Sequence, residues 1–329
     1  MSYDPSWNRS HAPSGDESWQ ESDAYWFYDA KIGIGGWHRV GQHPDQKTGQ
    51  DCHFLFVEGG ERALSLAPDK GAILSRTEEG QSVGTSYARH VDGDVMNFGW
   101  DDTSSSAQLE YYESFYTPRN WKAEAEDAEY SDQVNAAGGH LEVAGRLRGA
   151  VRVGNAEYEI DALAHRDKSW GNRNLHEFSA LWFSNGTVGP ELSWASMMVR
   201  MTNGAVMKMG FIVREGMSED ITDILTSVSL SDDGLSSTGA HFKLITPTQE
   251  LSVPMQPKQG FMQTFPPSMI VTDHCSSVEI DGREGFCDLA VVSNPFRGSF
   301  IPTASDVRAI CVDEGLSPAA DYSQLLLTN

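Results

Sequence analysis

The stretch HRDKSWGNR, His165 to Arg173, brings an imidazole, a carboxylate, an indole and three basic groups into one short segment. Its opening satisfies H-R-D-x-x-x-x-N, the catalytic loop of a protein kinase, in which Asp167 would be the base and Asn172 a magnesium ligand. Such an enzyme also needs a D-F-G triplet downstream and a glycine-rich loop before a lysine-bearing strand. The NFG at Asn97 to Gly99 lies upstream and begins with an amide, and the glycine-rich IGIGGW that ends at Trp37 does not fit G-x-G-x-x-G. Kinase chemistry is therefore set aside.

The same histidine and aspartate form H-x-D, the first two ligands of a two-histidine, one-carboxylate iron site. His274 would then be the distal ligand and Arg283 a cosubstrate anchor, in the order a 2-oxoglutarate oxygenase uses. This Fe(II) reading of His165 and Asp167 is an alternative. H-E-x-x-H, P-loop, G-x-S-x-G and dinucleotide fingerprints are absent from the sequence, so zincin, nucleotide-hydrolysing, serine-hydrolase and nicotinamide chemistry lose their usual signatures.

Strands must position these groups. From Leu141 to Val153, Leu141, Val143, Leu147, Val151 and Val153 alternate with charged residues, a period of two. After the turn at Gly154 to Glu157 the alternation resumes through Tyr158, Ile160, Ala162 and Ala164, with His165 on the opposite side. A second hairpin is predicted where WASMMVRM and AVMKMGFIV flank Asn203 and Gly204. Glu219 to Val228 fits either a helix or a strand. Glu110 to Tyr116 reads as a strand with Tyr112 and Tyr116 on one side. The segments DAYWFYDAKIGIGGW and SALWFSNGTVGPELSW resemble each other and suggest two related β units.

A chain of 329 residues accommodates two domains, and a net charge of -23 repels phosphate backbones and anionic membranes, so nucleic acid is not an expected partner. No run of apolar residues is long enough to span a bilayer, and the start carries no secretory core, which leads to an expectation of a cytoplasmic protein. Four scattered cysteines without C-x-x-C spacing suit reduced thiols better than a zinc site, with a Cys275 to Cys287 bridge as the alternative.

The order strand, Asp, basic residue, any residue, Trp, Gly resembles the D-H-x-W-G signature of the AttH-like and hydroxyneurosporene synthase (carotenoid 1,2-hydratase) family. Asp167, Trp170 and Gly171 match it, and Lys168 stands where histidine is usual. YWFYD and GIGGWHRVG near the start extend the similarity over Tyr25 to Arg173. The resemblance implies an all-β fold of two lipocalin-like antiparallel barrel or sandwich units. The expected division is an extended arm over 1–20, a first unit over 21–176 and a second over 177–329. It also implies cofactor-free acid–base chemistry, without a metal, on a hydrophobic small molecule of terpenoid, steroid or polyketide type: hydration, dehydration, double-bond migration or cyclisation.

Protonating an alkene calls for a carboxylic acid whose pKa is raised by burial, with aromatic faces to stabilise the cation. Asp167 is the candidate acid, His165 the proton relay and Trp170 the wall, inside a cavity that Trp26, Tyr28, Tyr112, Tyr116, Trp182 and Trp194 help to line. Two other readings stand beside this one. Asp167 can be a turn residue held ionised by backbone amides, and the chain can be a carrier that binds a hydrophobic ligand without converting it.

Overall fold

The computed structural model describes residues 3–69, 73–121, 138–173, 178–230, 237–265, 269–294 and 310–312. The chain divides into two compact units, Met1–Leu175 and His176–Asn329. In the first, the strands up to the midpoint are β1 (Trp19–Asp29), β2 (Ile34–His43), β3 (Thr48–Val57), β4 (Arg62–Asp69), β5 (Leu74–Thr77) and β6 (Gly80–Val83). There follow β7 (Ser86–Asp92), β8 (Val95–Asp101), β9 (Ser105–Ser114), β10 (Arg119–Asn120), β11 (Gly139–Val153) and β12 (Ala156–Asn172). They form one antiparallel sheet in the order β4-β3-β2-β1-β12-β11-β9-β8-β7-β6-β5, with β10 beside β11.

That sheet curls on itself. Gln42 on β2 donates to the carbonyls of Ser75 and Ser82 at 2.7 and 2.9 Å, and the ring of Tyr25 on β1 stacks on Phe98 of β8 at 3.8 Å. Side chains alternate between the two faces of a strand, so these contacts identify the concave face. It holds Phe27, Phe98, Trp100 and Tyr111, all buried. Two cations sit among them: Arg166 donates to Asn8 at 2.7 Å, and Lys168 pairs with Glu21 at 3.0 Å and Asp23 at 3.2 Å. The end strands β4 and β5 are not paired with each other, so the sheet is a curled half-barrel whose concave face is packed with these side chains. The interior that was expected to be a chamber is occupied by the protein's own side chains.

The arm is docked. Asn8 is 1% exposed and also donates to the Gly93 carbonyl at 3.1 Å, and Arg9 pairs with Glu78. Strand β12 does not stop at His165 but continues to Asn172, so Asp167 lies within a strand and not in a turn after one.

The second unit repeats the pattern with β13 (Phe178–Thr187), β14 (Leu192–Met201), β15 (Val206–Arg214), β16 (Met217–Asp220), β17 (Asp223–Leu230) and β18 (Ser237–Ile245). It closes with β19 (Glu250–Phe265), β20 (Met269–Ile280), β21 (Arg283–Ser293) and β22 (Ile310–Val312). The sheet order is β16-β15-β14-β13-β21-β20-β19-β18-β17, with β22 beside β19. Thus β13 and β14 occupy the places that β1 and β2 hold in the first sheet, and these are the two hairpins whose sequences resemble each other. Its core gathers Trp194, Ile212, Phe242, Leu251 and Leu289. Gly186 faces Trp194 there, and a Cβ at that position would lie 2.3 Å from the indole. The ambiguous Glu219 to Val228 falls on β16 and β17, where pairing with β15 and β18 decides for strand. Cys275 and Cys287 are buried thiols that are not bridged to each other. The fold is all-β, in two lipocalin-like units.

Candidate functional site

The convex face of the first sheet carries the chemistry-bearing residues in rows that cross the strands. One row runs Cys52, Arg39, Ala24, Asp167, Glu142 across β3, β2, β1, β12 and β11. The next runs Phe54, Trp37, Trp26, His165, Ala144. On the other side of the first row lie Gln50, Gly41, Ser22, Ser169 and His140. Neighbouring rows are about 6.7 Å apart, two residues of strand rise.

The hairpin β11–β12 sets this register. Its turn pairs Val153 with Ala156, and counting back along both strands places Glu142 opposite Asp167. Two carboxylates directly across an antiparallel pair repel each other. His140 separates them: its Nε2 lies 2.7 Å from Asp167 Oδ2 and 3.0 Å from Glu142 Oε1. The other oxygen of Glu142 contacts His165 Nε2, and both of those side chains are wholly buried. The result is a continuous run, Asp167–His140–Glu142–His165.

Burial alone would lower His140, but Asp167 and Glu142 outweigh it and push its pKa up to about 10. Burial alone would raise Asp167, but the His140 charge, with Arg173 and Arg39 behind it, holds the carboxyl below the ordinary aspartate value. Asp167 is therefore an ionised partner of an imidazolium and not the protonated acid expected from the sequence. Among the described residues its hydrogen bond comes from His140 and not from a backbone amide.

His140, Glu142 and Asp167 offer ligand atoms within 4.8 Å of one another. Donors on a metal at about 2.0–2.1 Å in tetrahedral geometry stand ~3.3 Å apart. The 2.7 Å separation of His140 and Asp167 is that of a hydrogen bond, and the 3.0 Å separation of His140 and Glu142 that of a close ion pair. Arg283, the expected cosubstrate anchor, pairs with Glu191 at 2.6 Å, and His274 lies on β20 of the second unit.

The aromatic candidates separate into groups. Trp26 is buried with its ring 6.3 Å from His165 and 6.4 Å from Trp37. Tyr28 shares that face, bonds Glu58 and stacks on Phe56 at 6.2 Å. Tyr116 is buried, accepts from the Ala144 amide at 3.0 Å, and has its hydroxyl raised well above the usual value by burial, Tyr111 and Glu142. Tyr112 sits at a β-bulge, where it receives Arg146 Nε at 3.0 Å and bonds Asp161 at 3.1 Å in a surface network. Trp194 belongs to the core of the second unit, and Trp182, half-buried, packs against it. Trp170 points to the face opposite Asp167 and His165, because its place in β12 has the other parity. It stacks on His11 at 3.7 Å and, with Trp7, Arg9 and Glu78, lines a cleft of about 660 Å³ under the arm.

Glu142, Trp37 and the anchoring role of His140 were not recognised from the sequence. H-x-E at His140 to Glu142 facing H-x-D at His165 to Asp167, through a hairpin whose turn is known, was the signal that could have found them.

A family model described as Domain of unknown function (DUF7064) matches residues 4–295. No curated protein matches the chain. Solved structures share its fold. A protein of Nitrosomonas europaea described as AttH (NE1406) is 8% identical with a TM-score of 0.57, over 84% of this chain and 92% of that one. CghA in complex with Sch210972 is 11% identical with a TM-score of 0.59, over 87% and 94%. Kievitone hydratase from Nectria haematococca is 8% identical with a TM-score of 0.52, over 87% and 96%.

Proposed function

We propose that this chain, which belongs to the family described as Domain of unknown function (DUF7064), is an enzyme that moves protons on a hydrophobic small molecule with its own side chains. The observation that carries the reading is His165. It is wholly buried, its Nε2 is tied to Glu142, and its Nδ1 has no hydrogen-bond partner among the described residues, next to the Trp26 ring. A buried polar atom left without a partner costs roughly 1–3 kcal/mol, so a bound reactant that meets it gains that amount back.

With Glu142 fixing one nitrogen, the other is free to exchange a proton with substrate, the arrangement a general acid or base requires. In a hydration, His165 Nδ1–H gives its proton to one alkene carbon and the π electrons form the new C–H bond. The cation left on the adjacent carbon faces Trp26 and Trp37, an attraction worth about 2 kcal/mol when desolvated. Water adds to that carbon and its surplus proton returns to Nδ1, so the enzyme ends as it began. In a double-bond migration the proton returns from a second carbon instead. Asp167 and His140 hold Glu142 in place and supply charge. The likeness in fold to kievitone hydratase, and to CghA with its bound Sch210972, supports a small-molecule substrate, for which we propose a terpenoid, steroid or polyketide type.

The test is turnover of a panel of unsaturated terpenoids and polyketides in D2O, read by mass spectrometry. Deuterium incorporation or addition of D2O is expected with the native chain, with a loss of roughly 10²–10⁴-fold in Glu142→Gln and His165→Gln. Equal conversion by those variants sinks the proposal.

A further inference from the structure

At the end of the same convex face lies a group of cations and donors that the proton-transfer run does not use. Arg39 on β2 gives Nη1 to Gln50 and Nη2 to Gln20 Oε1 at 3.2 Å. Arg173, just past β12, gives Nη2 to Ser169, and its Nε is buried with no hydrogen-bond partner among the described residues. Gln20 is 4% exposed, and its Nε2 is likewise buried without a partner. Its amide cannot be turned round to relieve this, because a guanidinium only donates and must meet the oxygen. His43, on the same face of β2, adds a buried Nδ1 in the same condition. Burial, Arg39 and Arg173 lower its pKa to about 4, so it is a neutral ring beside two positive charges.

Proteins seldom bury polar nitrogens without a partner to meet them. A group with two oxygens would meet the orphaned nitrogens of Arg173 and Gln20 beside His43, and a guanidinium suits a carboxylate.

We propose that Arg39, Arg173, Gln20 and His43 form a seat for the carboxylate of an amphipathic substrate whose apolar body runs along the Trp26 and Trp37 row. The substrate class is then a hydrophobic unsaturated carboxylic acid. Strand rise puts the seat one to three rows, about 7–20 Å, from His165, so the reacting bond is remote from the acid group. This rests on the proton-transfer reading of the face, which it deepens by naming the substrate.

The experiment uses the full chain with cis-parinaric acid, a fluorescent polyene carboxylic acid, and its methyl ester. The acid is expected to bind roughly 10- to 100-fold more tightly than the ester, the effect of one charged hydrogen-bonded contact. Arg173→Met and Arg39→Gln should each remove that preference, read as the ratio of acid to ester affinity. Equal binding of acid and ester by the native chain overturns the seat, as does a preference that survives both substitutions. Stronger competition by inorganic phosphate than by hexanoate overturns the carboxylate in favour of a phosphate ester. Binding reads the seat and turnover reads the reaction. Acid preference with conversion indifferent to Glu142→Gln leaves the seat standing and sinks the reaction; equal binding with conversion lost in Glu142→Gln does the reverse.

Discussion

Asp167 and His140 form a pair in which each stabilises the charge of the other, and the pH dependence follows from that. His140 has its pKa raised to about 10 in the folded protein. Its contribution is full below the unfolded histidine value of about 6.5 and is lost as pH rises toward about 10. Asp167 is lowered, so its contribution is full above about 3.9 and fades as pH falls below it. The pair is thus worth most between these limits. Asp167→Asn should cost on the order of 1–3 kcal/mol near pH 6, between the values for an exposed and a fully buried ion pair, because both side chains keep a little solvent exposure. Urea unfolding of both proteins from pH 5 to pH 10 checks this, and the gap should narrow toward the alkaline end. A gap that widens there would show that His140 does not carry the charge.

Among the elements, the arm and β12 show where sequence reading succeeded and where it stopped. Alternation from Leu141 to Ala164 gave both long strands and the turn between them, and the two aromatic hairpins marked the equivalent places in the two sheets. The motif, however, reads as the end of a strand, because Arg166, Lys168 and Trp170 do not look like an inward face. They are one: Lys168 is neutralised by Glu21 and Asp23, and Arg166 donates to Asn8, which the arm brings from far away in sequence. The break at Tyr112 is a bulge, which leaves no mark in a period-two pattern. Asn8 tests the arm. Asn8→Ala leaves Arg166 with a further unmet donor inside the half-barrel, so it should destabilise the fold by roughly 1–3 kcal/mol and raise amide hydrogen exchange over residues 3–12. Unchanged stability would mean that the arm only rests on the surface.

For the whole molecule, charge is unevenly placed. The chain has 24 basic and 47 acidic side chains, and Arg166 and Lys168 are buried with at most 1% of their surface exposed. Glu21, Asp23, Asp29, Glu142, Asp273 and Asp288 are buried as well, so the solvent-facing surface stays acidic without exceeding what composition gives, and it repels itself. Salt should screen this: between about 0.01 and about 0.15 M the Debye length falls from about 30 to about 8 Å, so the thermal midpoint of the native chain should rise with added NaCl. Buried pairs are screened far less. The difference in midpoint between the native chain and Asp167→Asn should consequently stay the same at both salt concentrations while both midpoints climb. A difference that shrinks with salt would place the His140–Asp167 pair in contact with bulk solvent, and proton transfer along this face would then compete with water at every step.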